Sequence, residues 1–98
     1  MRKYGKIDGN QEQIVSALRA AGATVQSLAA VGDGVPDLLV GYRGHTLLFE
    51  VKDGQKPPSQ RRLTDDQKKW HAAWTGGTLC IVDGPEAALR AIGVIKGD

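Results

Sequence analysis

Residues 34–52, GVPDLLVGYRGHTLLFEVK, decide the fold of this chain. Two apolar runs flank Arg43-Gly44, which is the pattern of an antiparallel hairpin with a two-residue turn. In that register the numbers of opposed residues sum to 87, so Asp37 faces Glu50. Because strand side chains alternate between the two faces of a sheet, both carboxylates then lie on one face. A slip of one residue would separate them.

The same register predicts which face of the hairpin is buried. One face is apolar throughout and consists of Leu38, Val40, Tyr42, Leu47, Phe49 and Val51. The other face is apolar near the turn and charged at the open end, where Lys52 follows Glu50. Carboxylates directly opposite one another repel, so a bound divalent cation beside Lys52 would stabilise the pair. The alternative is a solvent-facing Asp37 with a surface ion pair between Glu50 and Lys52.

Length and composition exclude several classes of protein. We expect residues 1–98 to form a single domain with a basic N-terminal segment, 1–9, because a chain of this length buries roughly 60–70% of its unfolded surface. Cys80 is the only cysteine, which excludes a disulfide scaffold. The basic residues 1–6 precede no apolar stretch, so neither a signal peptide nor a membrane span is predicted, and we expect a soluble intracellular protein.

The distribution of charge is more informative than the net charge of +2. Six of the thirteen basic residues fall within eighteen positions, and these are Lys52, Lys56, Arg61, Arg62, Lys68 and Lys69. Because this cluster begins at the paired carboxylates, it favours contact with phosphates. A second group comprises Arg2, Lys3 and Lys6. For either group, the alternative is a solvated surface that keeps the protein soluble.

The elements around the hairpin follow from helix and strand signals. Residues 10–13 predict a helix start, with Asn10 as the N-cap and Gln13 three residues later, and Gly22 ends this helix. A strand is expected within residues 23–30, followed by a turn at 31–34. Residues 53–63 are polar and contain Pro57-Pro58, so they predict a long loop without regular structure.

A second helix should open at Thr64 with Gln67 in a capping box, and Trp70, Ala73 and Trp74 should form its core face. A strand over 78–82 and a final helix from about residue 85 complete the chain. The order α-β-β-β-α-β-α predicts an α/β fold with a mixed sheet flanked by helices.

These residues resemble a known family. Pro36-Asp37, Glu50-Val51-Lys52 and a preceding helix that carries Glu12 resemble the PD-(D/E)XK restriction-endonuclease-like core. Within that superfamily, residues 34–37, Leu63-Thr64 and Gln67 are similar to the VRR-NUC group, found in small stand-alone phage proteins and in the Fanconi-associated nuclease. The resemblance covers residues 10–82.

The resemblance implies metal-dependent hydrolysis of DNA phosphodiesters. Asp37, Glu50 and the Val51 backbone carbonyl correspond to ligands of Mg²⁺ or Mn²⁺, which prefer oxygen donors. Lys52 would orient the attacking water and stabilise the negative charge that develops on the phosphate. The resemblance also assigns Glu12 and Gln67 to the catalytic site. Their alternatives are an acid that complements a helix N-terminus and a member of the capping box, respectively.

The family also implies a substrate and an assembly. Its stand-alone members are similar to resolvases of four-way (Holliday) junctions and act as homodimers, in the cytoplasm of a bacterial or phage-infected cell. One short chain carries one active site, whereas symmetric incision of a junction needs two, and a two-fold dimer supplies them. The alternatives are a sequence-specific restriction-type endonuclease and an inactive nucleic-acid-binding module on the same fold.

Three other features do not predict function. His45 and His71 lack the ligand spacing of a zinc site, and His71 is predicted to be a partly buried structural residue. Trp70 and Trp74 are interpreted as core residues instead of a base-stacking platform. The glycines form no phosphate-binding motif before a helix, so no nucleotide cofactor is expected.

Overall fold

The computed structural model describes residues 9–96, and the predicted basic group Arg2, Lys3 and Lys6 lies outside this range. The order of elements agrees with the sequence prediction. The elements are α1 (Gly9–Ala20), β1 (Thr24–Ser27), β2 (Leu38–Tyr42), β3 (His45–Val51), α2 (Asp65–Ala73), β4 (Thr78–Val82) and α3 (Pro85–Ala91). Within residues 9–96, no helix combines the length and the hydrophobicity needed to cross a lipid bilayer.

The hairpin has the predicted register. Leu38 pairs with Phe49 and Tyr42 pairs with His45, so opposed numbers sum to 87 along β2 and β3. The turn residues Arg43 and Gly44 both have positive φ, at 48° and 83°. Two positive φ values are what a type I′ hairpin turn requires, and this turn matches the twist of the strands that it joins.

The four strands form one mixed sheet in the order β1-β2-β3-β4. β1, β2 and β3 are antiparallel neighbours, whereas β4 runs parallel to β3. A parallel pair needs a crossover connection, and α2 lies within the one between β3 and β4. α1 packs against α3 and β1, and α3 also packs against β4.

The hydrophobic core lies between the sheet and the pair α1 and α3. The predicted apolar face supplies a large share of it, and Leu38, Val40 and Phe49 have no exposed surface. Cys80 is half-buried and packs against this cluster. Because Glu50 alternates with Phe49 along β3, its side chain lies on the opposite face of the sheet, where α2 approaches.

The start of the first helix differs from the prediction. The described part of α1 already includes Gly9, so Asn10 lies inside the helix and is not the N-cap. Its side-chain amide instead donates hydrogen bonds to the carbonyl oxygens of Lys52, at 2.9 Å, and Asp83, at 3.3 Å. Asn10 therefore connects α1 to the chain just beyond the ends of β3 and β4, a long-range contact that local sequence does not reveal.

Two predictions after β3 were wrong in part. The loop over 53–63 contains a short 3-10 helix at Pro58–Gln60. The capping box of α2 is confirmed, but no residue of this helix is buried, so Trp70, Ala73 and Trp74 do not form a core face. The two tryptophan rings stack on each other with centroids 5.1 Å apart, and Trp74 remains 39% exposed. The two rings bury apolar surface against each other and only partly against the rest of the protein.

Candidate active site

Asp37 lies immediately before β2, at the open end of the hairpin. Its backbone carbonyl accepts a hydrogen bond from the Leu28 amide at 2.8 Å. Its side-chain oxygen Oδ2 accepts another from the Val51 amide at 2.7 Å. The Asp37 carboxylate thus accepts a hydrogen bond from β3 in the place where a backbone carbonyl would continue the pairing of β2 with β3. This bond holds the side chain against β3, beside Glu50.

Glu50 is the one buried charged residue in the part of the chain that the structure describes, with 1% of its surface exposed. Both of its carboxyl oxygens contact α2. Oε1 lies 3.1 Å from His71 Nε2, and Oε2 accepts a hydrogen bond of 3.2 Å from Gln67 Nε2. A buried carboxylate is stable only when its oxygens have partners, and α2 provides two.

Lys52 belongs to the same network. Its ammonium Nζ donates to Gln67 Oε1 at 3.0 Å, and the same oxygen accepts from the Thr64 amide at 2.9 Å. The second interaction is half of the capping box, whose other half joins the Gln67 amide to the Thr64 hydroxyl. Gln67 therefore caps its helix and contacts Lys52 and Glu50 with the same amide group. Its assignment to the catalytic site stays a prediction.

The pKa of Glu50 is unusual for a carboxyl group. The pKa of Glu50 is raised from 4.5 to about 8, first by burial and then by a hydrogen bond with Asp37 and the negative charge of that residue. Lys52 opposes this rise because its positive charge favours the ionised form. Burial, together with the charge of Lys52, lowers the pKa of His71. With a pKa of about 8, Glu50 is mostly protonated at neutral pH in the metal-free protein, and a cation bound between the two carboxyl groups would favour its ionised form.

The residues at this site fit a divalent cation by the chemistry of their donors. Asp37 and Glu50 converge at the end of the hairpin, and a cation that replaced the proton they share would find lone pairs on both carboxylates. Within residues 9–96, no cluster of three or more His, Cys, Asp and Glu side chains is arranged to hold a metal ion. A two-carboxylate site suits Mg²⁺, which commonly binds through one or two carboxylates and keeps several waters. A Val51 carbonyl ligand stays a prediction.

The predicted residue Glu12 is placed differently. It is exposed on α1 and lines a surface cavity with Arg19 and Ser27. No hydrogen bond or ion pair among residues 9–96 joins it to Asp37 or Glu50, so a catalytic role for Glu12 stays a prediction without a supporting contact.

The predicted DNA-binding residues lie on and before α2. Four of them are exposed, and these are Lys56, Arg62, Lys68 and Lys69. Arg61 differs because it is half-buried, and its Nε atom is buried without a hydrogen-bond partner. Over residues 9–96 the ion pair formed by a lysine or arginine is Arg90–Glu86, so these basic side chains form none and are available to an anion.

His71 is the site residue that sequence reasoning missed. It is half-buried, as predicted, but it contacts the carboxyl group of Glu50 directly. The available signal was its spacing, since His71 follows Gln67 by four residues and therefore lies on the same face of α2.

Comparison with known proteins supports the resemblance. A solved structure described as a VRR_NUC domain superimposes with a TM-score of 0.64 and 27% sequence identity, over 86% of this chain and 90% of that one. No protein-family model matches the sequence, and no curated protein matches it significantly.

The similarity to the VRR_NUC structure, together with the mixed sheet and the helices on both of its faces, identifies this chain as a nuclease domain. Its fold is VRR-NUC-like, because the similarity to the VRR_NUC structure extends over most of both chains.

Proposed function

We propose that this protein is a Mg²⁺- or Mn²⁺-dependent endonuclease that hydrolyses phosphodiester bonds of DNA, with branched DNA such as a four-way junction as its substrate. The observation that carries the proposal is the convergence of Asp37 and Glu50 at one end of the hairpin, with Lys52 in the same hydrogen-bond network. The solved VRR_NUC structure supports the nuclease activity.

The ligands of the cation would be Asp37, Glu50 and the Val51 carbonyl. A bound cation would supply charge neutralisation at the phosphate and a more acidic water. The protein's own part is positional. Lys52 is half-buried and its Nζ is directed by Gln67 Oε1, so its positive charge is held near the place where negative charge develops during hydrolysis. Gln67 keeps Lys52 and Glu50 in a constant relation because it bonds to both.

The substrate would reach this site across the basic surface of α2 and the preceding loop. Lys68 and Lys69 are exposed near the N-terminal end of α2, which also carries Gln67. The unpaired basic residues would neutralise backbone phosphates, a contribution to affinity that does not depend on sequence. This arrangement favours a nuclease that recognises DNA shape.

The proposal includes a homodimer in the cytoplasm of a bacterial or phage-infected cell, and its support is the family resemblance. A two-fold dimer would present two identical sites for paired incisions in a junction.

The direct test is cleavage of labelled four-way junction, flap and linear duplex of the same sequence, with Mg²⁺, Mn²⁺ or EDTA. We expect paired cuts in the junction with either metal and no cleavage in EDTA, and light scattering should give the mass of a dimer. Cleavage that persists in EDTA would exclude the mechanism. Cutting of linear duplex at one sequence would favour the restriction-type alternative, and salt-sensitive binding without cleavage would favour an inactive binding module.

Arg61→Ala and Arg62→Ala should weaken DNA binding to different extents. Arg62 is exposed, so its loss should cost one phosphate contact and lower the slope of log affinity against log salt by about 1. Arg61 is half-buried, so its side chain loses less conformational freedom when it binds a phosphate, and we expect a larger loss of affinity, about tenfold. Fluorescence anisotropy with Ca²⁺ in place of Mg²⁺ measures both. Equal losses would contradict a distinct role for Arg61.

A further inference from the structure

We infer that His71 is a positioning residue that orients the Glu50 carboxylate for the cation, an inference that rests on the proposed function. Its Nε2 lies 3.1 Å from Glu50 Oε1. When a cation holds Glu50 ionised, that oxygen is an acceptor only, so the histidine must carry its proton on Nε2 and donate it.

The arrangement around Glu50 is two-sided. His71 contacts one carboxyl oxygen of Glu50, and Gln67 donates a hydrogen bond to the other. The two residues lie on successive turns of α2, on the same face of the helix. Two donors fix both the position and the rotation of a carboxylate, whereas one donor leaves the group free to rotate. Each oxygen keeps a lone pair that can face a cation on the Asp37 side. Carboxylate ligands of metals are commonly held by such outer hydrogen bonds.

The position of His71 has no explanation in core packing. α2 has no buried residue, and its tryptophan rings stack on each other. Among the described residues, the side-chain hydrogen bonds between α2 and the sheet region instead lead to the candidate site, where Gln67 bonds to Glu50 and Lys52 and His71 bonds to Glu50. The side chain of His71 is 14% exposed, which shields its bond to Glu50 from competing water.

The gap between α2 and the hairpin is set by the backbone. A Cβ atom at Gly34 would overlap the carbonyl group of Asp66 and lie 2.9 Å from the Gln67 amide nitrogen. The turn before Asp37 and the first turn of α2 are therefore in direct contact. This contact brings His71 and Gln67 within hydrogen-bond distance of Glu50 and leaves little freedom for the helix to shift.

The test is a titration of the protein with Mn²⁺, followed by electron paramagnetic resonance of the free ion, for the wild type, His71→Ala, His71→Gln and His71→Met. We expect His71→Ala and His71→Met to weaken Mn²⁺ binding about 10- to 100-fold. His71→Gln can still donate a hydrogen bond and should recover most of the affinity. Met fills a similar volume without a donor, so the comparison of Gln with Met separates the hydrogen bond from packing.

His45→Ala is the matched control, because His45 is exposed beside the hairpin turn and should leave Mn²⁺ binding unchanged. The Mn²⁺ concentration for half-maximal cleavage should rise in His71→Met by the same factor as its dissociation constant. Equal affinities for the wild type and His71→Met, with binding lost in Glu50→Gln, would overturn this inference and leave the proposed function intact. A wild type that binds no Mn²⁺ and cuts no DNA would overturn the proposed function itself.

Discussion

Glu50→Gln should abolish DNA cleavage, by about 10³-fold or more, while the protein remains folded. The substitution keeps the size of the side chain and an acceptor for a hydrogen bond from His71 or Gln67, but it removes the negative charge that the cation requires. Single-turnover cleavage of a junction with Mg²⁺ measures the loss. A Glu50→Gln variant that cuts at a rate close to the wild type would show that this carboxylate is not a metal ligand.

The same substitution should change how stability depends on pH in EDTA. The ordinary pKa of a glutamate is 4.5, whereas the pKa of Glu50 is raised to about 8 in the folded protein. Between these values the folded state binds more protons than the unfolded state, so the free energy of unfolding falls as pH rises. We expect a loss of about 1 kcal/mol between pH 7 and 8, measured by urea denaturation.

Glu50→Gln should remove this slope and be at least as stable as the wild type at pH 8. His71 contributes in the opposite direction, because its lowered folded pKa makes stability rise with pH, but that change lies between the lowered pKa and the ordinary value of 6.5 and is largely complete above pH 7. Added Mg²⁺ should stabilise the wild type at pH 8 and have little effect on Glu50→Gln. Parallel pH profiles for the two proteins would contradict the burial of an ionising carboxyl group.

Gly34→Ala should destabilise the protein by about 3 kcal/mol and reduce cleavage at every metal concentration. Gly34 has a φ of 84°, which L-residues rarely adopt, and a Cβ atom there would overlap the backbone of Asp66. A backbone group cannot rotate away as a side chain can, so α2 must move and carry Gln67 and His71 away from Glu50. Denaturation and cleavage assays on the same preparation measure both effects.

Gly32→Ala provides the matched control for this prediction. Gly32 lies in the same turn and also has a positive φ, 74°, but a Cβ atom there would have nothing within 4 Å. We expect it to cost about 1 kcal/mol, the strain of the left-handed backbone alone, and to cleave normally. Equal effects of the two substitutions would show that the contact between the turn and α2 does not position the site.

Much of the fold could be predicted because its signals are local. The alternation of apolar residues around Arg43-Gly44 predicted the register of β2 and β3, and the structure confirms it. Thr64 and Gln67 predicted the start of α2 through a capping box whose two hydrogen bonds join residues three apart. Local patterns gave wrong predictions where the hydrogen-bond partners of a residue are distant in sequence. Asn10 has the chemistry of an N-cap, yet its amide binds carbonyls 42 and 73 residues away.

The prediction of a core face on α2 was wrong for a related reason. The spacing of Trp70 and Trp74 is typical of a helix face that packs on a core, but periodicity cannot tell packing on the protein from packing of the two rings on each other. His71 was likewise interpreted as structural, because the partner that gives it a role lies on another element, 21 residues earlier.

By itself, the amino-acid sequence determined the hairpin, its register and the face that carries Asp37 and Glu50, because strand pairing and side-chain alternation depend on neighbours along the chain. Only the tertiary structure decided the surroundings of that pair. The close approach of Gly34 to α2 brings Gln67 and His71 to the two oxygens of Glu50, and the resulting burial raises the pKa of Glu50 to about 8. Contacts between distant segments set this environment, and such contacts have no signature in local sequence.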